Sequence, residues 1–410
     1  MTDSVRRDVV GAQTLTGVTG VDLQGEDDVR NWLPMDVLEP PIRNSNLSTL
    51  FTCLRMYLLK ERCALEPWGY RSAAETGTMT HLVLNALWKG ESKNSVHNLL
   101  SLYVADAKED VRGWYENHGT PDVCDRVLKQ IDQDAALALC MGLLHWEKYP
   151  LNPAGCKPVL LEEELTLRLP DILQPIRGRL DLVVEVPSNN PLLPGLVIVD
   201  HKTTDYPKAL GLSMEFSTWA RLYRLLLQNH WPGRPVTGAV LNVIQKPDIR
   251  LKEWQTFDEY LEECRDWYEA QDDAVGFCGS DGNPVLFKSG PRKGLLKPRW
   301  EHADKADLRL AEPPMRSFPH RFTEPLMPPS LKNMLLVANR AARCAPLLQN
   351  FPETGEPCGH CRSRYNKPCP YLPLCSTNPV NWPTIVEQQF TIRLDKPDTP
   401  EDLEQETSDE

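Results

Sequence analysis

Apolar residues recur at helical spacing through four stretches in the first third of the chain. In NSNLSTLFTCLRMYLLKERC, Leu47, Leu50, Leu54, Tyr57 and Leu58 share one face, with Ser45 and Asn46 as N-cap candidates; the pattern predicts a helix of roughly four turns. A second helix is expected over 73–90, ending near Gly90, with two more at 94–117 and 121–148. The pattern then changes. Residues 157–169, 176–186 and 195–201 are β-rich and broken by Pro170, Pro175, Pro187 and Pro194, which predicts strands in a meander. Helical spacing returns at 207–230, a further strand is expected at 236–246, and a helix at 252–274. The segment 276–330 is rich in Pro, Gly and charge and reads as irregular with one or two strands, followed by a helix over 330–349. The fold class expected from this order is α/β, a central mixed sheet flanked by helices, with a helical N-terminal part.

Composition changes little in that picture. The chain has 410 residues, 41% apolar and 25% charged, as ordinary globular proteins do. No run approaches the roughly 18 apolar residues of a membrane helix. The opening MTDSVRRDVVGAQT lacks the apolar core of a signal peptide, so a cytoplasmic location and no membrane partner are expected. The net charge of −12 does not advertise nucleic-acid binding, but much of the excess sits in the tail DTPEDLEQETSDE, and Lys288–Arg299 is locally basic. The expected divisions are an irregular leader (1–44), a helical region (45–156), the sheet-bearing core (157–275), an irregular region with a helix (276–350), a cysteine loop (351–380) and an acidic tail (381–410). Neither a Walker A motif nor GxGxxG occurs, so no ATPase or dinucleotide site is expected.

The chemistry concentrates in IRGRLDLVVEV and GLVIVDHKTT. Asp181 follows a charged Gly turn at the head of one apolar strand, and Asp200 and Lys202 end another. Strand side chains alternate, so Lys202 shares a side with Asp200 and His201 points the other way. Carboxylate oxygens suit a hard cation such as Mg²⁺ or Mn²⁺, and a lysine can neutralise developing charge or orient water. A D-x-K triplet alone is commonly a solvated loop charge; its conjunction with Asp181, each beside an apolar strand, favours a metal site. Glu162 and Glu164 on the preceding strand are further ligand candidates. Basic residues beside aromatics can hold single-stranded nucleic acid, and Arg43, Arg55, Arg177, Arg179 and Lys288–Arg299 with Trp300 are candidates.

Twelve cysteines are present. Cys358, Cys361, Cys369 and Cys375 cluster in a Pro-rich loop, a density that favours metal ligation over core packing, and four local cysteines could form a tetrahedral zinc site. Cys63, Cys124, Cys140, Cys156, Cys264, Cys278 and Cys344 are scattered and read as small buried apolar residues.

Together these motifs resemble the PD-(D/E)xK nuclease superfamily, in particular its RecB-like exonuclease branch, over residues 45–378. Gly178-Arg179-Leu180-Asp181 matches its G-x-x-D motif, Asp200-His201-Lys202 its (D/E)-x-K, and Gly77-Thr78-Met79-Thr80-His81 its helical G-x-x-x-H, making His81 a further metal ligand. The Q-x-x-x-Y motif is met in part: Tyr223 is in place, but Trp219 replaces Gln, with Arg221 or Gln228 as compensators. Iron–sulfur members of the family, including AddB-type subunits and CRISPR-adaptation exonucleases, place one cysteine on an early helix and three after the core. That layout implies a 4Fe-4S cluster on Cys53, Cys361, Cys369 and Cys375, with Cys358 as the alternate for Cys361, stapling the first helix to the tail. The resemblance implies a DNA exonuclease acting on single-stranded or duplex ends in repair or recombination, with a helicase or recombination partner, in a bacterium or phage-infected cell. An inactive nuclease-fold subunit and a zinc-ribbon interaction protein are the rival readings.

Overall fold

The computed structural model describes residues 28–33, 37–118, 121–149, 156–188, 195–205, 218–271, 315–346, 348 and 369–392. Cys278, the basic segment Lys288–Arg299 with Trp300, Cys358, Cys361 and the acidic end of the chain lie outside them. The first expected helix is divided. α1 (Asn44–Thr52) stops at Cys53, whose backbone is extended, and α2 (Leu54–Tyr57) runs into a π-helical turn over Leu58–Arg62. Neither Ser45 nor Asn46 is the N-cap. That position is Arg43, and Asn46 acts from the third helical residue, its Oδ1 accepting the Arg43 N–H at 2.7 Å. The short strand β1 (Leu65–Pro67) follows, then α3 (Ser72–Trp88), α4 (Lys93–His118) and α5 (Pro121–Lys148), close to the expected bounds.

β2 (Lys157–Leu169), β3 (Ile172–Val186) and β4 (Gly195–Thr204) are the expected meander, with β3 longer than its prolines suggested. Pro175 stands inside β3 where only an isolated Ile42–Ile176 bridge is formed with the early chain, and its carbonyl accepts the Ile42 N–H at 2.8 Å. α6 (Thr218–His230), β5 (Val236–Gln245), α7 (Phe257–Gln271), β6 (Met315–Arg321) and α8 (Pro329–Arg343) complete the middle of the chain. Residues counted in the sequence with the tail are ordered elements: after α9 (Leu372–Cys375) come α10 (Trp382–Gln389) and β7 (Phe390–Ile392). No described helix is long and apolar enough to cross a membrane.

Two compact units divide the chain. One comprises residues 1–69, 166–177 and 329–410, the other 70–165 and 178–328. In the second unit the sheet runs in the order β2-β3-β4-β5-β6, antiparallel between β3 and β4, parallel between β4 and β5, and antiparallel between β5 and β6. The parallel step requires a crossover, which α6 provides. Leu182, Val184 and Val186 pack with Val197 and Val199 on one face, as their alternation requires. α3, α4 and α5 bury Met79, Val83, Leu87, Val96, Leu100, Leu139 and Leu143 among themselves, and α5 and α7 bury Cys140, Leu144, Tyr260 and Cys264 against Ile244 and Met315 of the sheet.

In the first unit, hydrogen bonds join the early and late parts of the chain. β1 and β7 pair antiparallel, the Tyr371 hydroxyl donates to the Leu65 carbonyl at 2.6 Å, and Tyr371 stacks on Phe390. The buried Arg62 donates to the Cys344 and Ala341 carbonyls at the end of α8 and to the Leu38 carbonyl, satisfying groups that a helix C-terminus leaves open. Trp382 is buried with its indole N–H on the Leu374 carbonyl at 2.8 Å.

α3 carries His81, and its seat on α5 is tight. A Cβ on Gly142 would lie 2.9 Å from Val83 Cβ and closer still to its Cγ1. Replacing Gly142 by Ala is therefore expected to destabilise the protein by about 1–3 kcal/mol through overpacking, read as a lowered urea midpoint with unchanged slope. An unchanged midpoint would show that the two helices have room to separate.

Candidate active site

The β3–β4 ladder pairs Leu182 with Val199 and Val183 with Ile198. One further step of that register sets Asp181 opposite Asp200, so the two carboxylates share a face at cross-strand distance. His201, between Asp200 and Lys202, contributes its backbone. Its N–H donates to Asp181 Oδ2 at 2.8 Å, and its carbonyl lies 2.7 Å from His81 Nε2. A carbonyl can only accept, so this bond places a proton on Nε2 and turns Nδ1 to the carboxylates, 3.5 Å from Asp181 Oδ2 and 3.6 Å from Glu162 Oε1. His81 Nδ1 and one oxygen each of Glu162 and Asp181 lie within 4.8 Å of one another.

The expected metal set was His81, Asp181 and Asp200. Glu162 takes the place of Asp200 in the close group, and Asp200 instead holds Lys202, whose ammonium is 2.8 Å from its Oδ2. Glu164 is exposed. Nothing in the sequence distinguished Glu162 from its neighbours, because the device that aims it is conformational. Its φ is +49°, a left-handed backbone within a strand. For a residue other than Gly this costs on the order of 1–3 kcal/mol and persists only where its surroundings impose it.

The charges are strongly coupled. Burial alone would depress His81, but the Asp181 and Glu162 carboxylates outweigh it and push its pKa up to about 10. Burial alone would raise Asp181, yet His81 and Lys202 hold it well below the usual carboxylate range. Asp200 is pushed up to about 6, chiefly by burial and by Asp181, against the pull of Lys202. Lys202 is raised despite burial by Asp200 and Asp181. A cation bound through His81 Nδ1 must displace a proton, and in return it relieves the repulsion among three carboxylates. The donor set, one imidazole nitrogen and carboxylate oxygens, fits a divalent ion such as Mn²⁺ or Mg²⁺.

Tyr223 lies at this site. A Cβ on Gly178 would meet its ring at 2.8 Å, which explains the glycine of the G-x-x-D motif as a close approach between β3 and α6. Burial, then the carboxylates of Asp200, Asp181 and Glu162, raise the phenol far above its ordinary value, so it stays a donor. Trp219 packs edge-on to Tyr223 with centroids 5.8 Å apart. Neither expected compensator reaches the carboxylates. Arg221 pairs with Glu324, and the Gln228 amide bonds the Trp231, Pro232 and Arg234 carbonyls while accepting the Val236 N–H. The His201 ring points away from the carboxylates, as expected, and lies edge-on to His145 at 5.4 Å. Burial holds both rings neutral, His145 with a pKa down to about 4.

Of the expected nucleic-acid contacts, Arg179 is exposed and pairs with Glu162 at 2.9 Å. Arg55 is buried and donates to the Leu348 carbonyl, a structural position. Cys53, Cys369 and Cys375 all lie in the first unit and are half-buried, a donor chemistry that suits a cluster, and Cys53 Sγ accepts the Met56 N–H at 3.4 Å. Among the scattered cysteines, Cys63, Cys140 and Cys264 are buried as expected, whereas Cys124, Cys156 and Cys344 are only partly so.

The sequence profile of the PD-(D/E)XK nuclease superfamily matches residues 44–375, most of the chain and every residue of this site. The chain belongs to the PD-(D/E)XK nuclease superfamily. Comparison with curated proteins gives no match. Members of this superfamily are phosphodiester hydrolases that use divalent metal, and the five-stranded mixed sheet flanked by helices is the core expected of a PD-(D/E)XK protein.

Glu162→Gly removes the carboxylate and relieves the left-handed residue at once. It is expected to stabilise the fold by up to about 1 kcal/mol while weakening Mn²⁺ binding at least tenfold, measured by thermal unfolding and by electron paramagnetic resonance. A loss of stability would show that Glu162 is held without strain.

Proposed function

We propose that the protein is a metal-dependent DNA nuclease acting as an exonuclease in DNA end-processing, repair or recombination. The observation that carries this reading is the convergence of His81 Nδ1, Glu162 and Asp181 beside the Asp200–Lys202 pair, inside the stretch matched to a nuclease superfamily. His81, Glu162 and Asp181, with Asp200 opposite, would hold the ion. A divalent cation there supplies Lewis acidity toward a phosphodiester oxygen and a lowered pKa for bound water. The chain's own groups do the rest. The His201 carbonyl and N–H orient His81 and Asp181, Lys202 offers positive charge and a donor beside Asp200, and Tyr223 offers a neutral hydroxyl to a developing anion.

Incubation of the full chain with end-labelled linear single-stranded and duplex DNA, and with closed circles, tests this in Mn²⁺ and Mg²⁺. Cleavage of linear DNA from its ends, with circles spared, is expected, and Asp200→Asn should lower the rate by a thousandfold or more. Activity equal in wild type and variant would sink the assignment of Asp200, and inactivity of the wild type on every substrate would favour a binding subunit.

The 4Fe-4S cluster on Cys53, Cys361, Cys369 and Cys375, with Cys358 as the alternate for Cys361, is the second part of the reading. Its support is the placement of Cys53, Cys369 and Cys375, all partly buried, within one unit. Because hydrogen bonds already join β1 to β7, the cluster would reinforce a closed unit instead of creating one. Anaerobic purification is expected to yield a brown protein with iron and sulfide in equal amounts, both lost in Cys375→Ser; a colourless protein with zinc would replace the cluster by a zinc site. A helicase or recombination partner and a cytoplasmic setting in a bacterium or phage-infected cell complete the proposal, on the family resemblance alone.

A further inference from the structure

We propose that Arg179 is a ligand for a substrate phosphate at this site, held in position by Glu162; the inference rests on the nuclease reading. Strand alternation puts Arg179 two residues before Asp181 on the same face of β3. Its Nε lies 2.9 Å from Glu162 Oε2, while the other oxygen of that carboxylate faces His81 Nδ1 at 3.6 Å. One carboxylate therefore links the guanidinium to the candidate cation site, and the strained φ of +49° at Glu162 serves both contacts.

Exposure separates the partners. The Arg179 side chain is 65% exposed and that of Glu162 only 14%. An ion pair this open to water adds little stability. Its effect is orientation: with Nε on Glu162, the Nη donors remain for another oxyanion, in the planar fork that matches phosphate oxygens. Charge accounting points the same way. Glu162, Asp181 and Asp200 repel a polyanion, and the positive groups beside them are committed, His81 between two carboxylates and Lys202 to Asp200. On α6, Arg221 is paired with Glu324, and Arg224 donates to the Glu324 carbonyl beneath the Phe322 ring. Arg179 alone among these cations combines high exposure with a direct tie to the carboxylate group. The ligand class is a non-bridging oxygen of a DNA phosphodiester next to the bond that is cut.

The competing role is a prop for Glu162, and two readouts on the full chain separate them. Mn²⁺ affinity is measured by electron paramagnetic resonance. Affinity for a fluorescein-labelled linear oligonucleotide is measured with Ca²⁺ in place of Mn²⁺ across a salt series. Arg179→Gln is expected to weaken oligonucleotide binding about tenfold, to reduce the salt slope by about one, to raise KM more than it lowers kcat, and to leave Mn²⁺ affinity within about twofold. Arg179→Lys should recover the salt slope, since the charge is retained, but not the full affinity. If Arg179→Gln instead weakens Mn²⁺ binding as much as Glu162→Gln and leaves oligonucleotide affinity unchanged, Arg179 is a prop and the proposal fails. If the wild type cuts DNA and Arg179→Gln matches it in both readouts, the proposal fails while the nuclease reading stands. A wild type that neither binds nor cuts DNA overturns both.

Discussion

One stretch of antiparallel register governs the site. Because β3 and β4 pair as they do, Asp181 stands opposite Asp200, and the peptide of His201 comes within reach of both Asp181 and His81. A slip of one residue would send each side chain of β4 to the opposite face. The hydrophobic pairs that prevent the slip are Leu182 with Val199 and Val184 with Val197, buried on the face opposite the carboxylates. The geometry of the charged groups is thus enforced by apolar contacts on the far side of the same two strands. This explains why His201, buried and facing those contacts, lies between two functional residues without lending its ring to them.

Much of this was legible in the residues. Alternation alone placed Asp200 and Lys202 together and His201 apart, and the bounds of α3, α4, α5 and β5 follow from periods of 3.6 and 2. The misses have physical causes. The first helix breaks at Cys53, where Leu47, Leu50 and Leu54 keep the helical spacing but the backbone extends; periodicity records which residues are buried and not whether the chain between them is continuous. Pro175 sits in a strand beside an isolated bridge to Ile42, a long-range contact that no local pattern announces. Residues 382–392 carry weak periodicity and are set by long-range partners, β1 for β7 and Leu374 for Trp382. Glu162 could not be ranked above Glu164, since only the backbone conformation tells them apart.

The two units solve different problems. The sheet-bearing unit spends its core on placing opposed charges on adjacent strands, with the helices α3 and α6 bringing His81 and Tyr223 to them. The other unit ties residues far apart in sequence, Leu65 with Tyr371 and Arg62 with Cys344, through buried hydrogen bonds to backbone carbonyls. Such bonds are costly to break because the carbonyl would be left unpaired. Cysteine ligation of a cluster in that unit would add to a closure that the polypeptide already makes.

The left-handed Glu162 also bears on how the protein could be made more stable. Gly adopts a positive φ without penalty, so it would relieve the backbone here while removing the carboxylate. Backbone stability and a ligand at residue 162 thus pull in opposite directions. A search for more stable variants that is blind to activity would therefore be drawn, at this one position, toward a chain without the carboxylate.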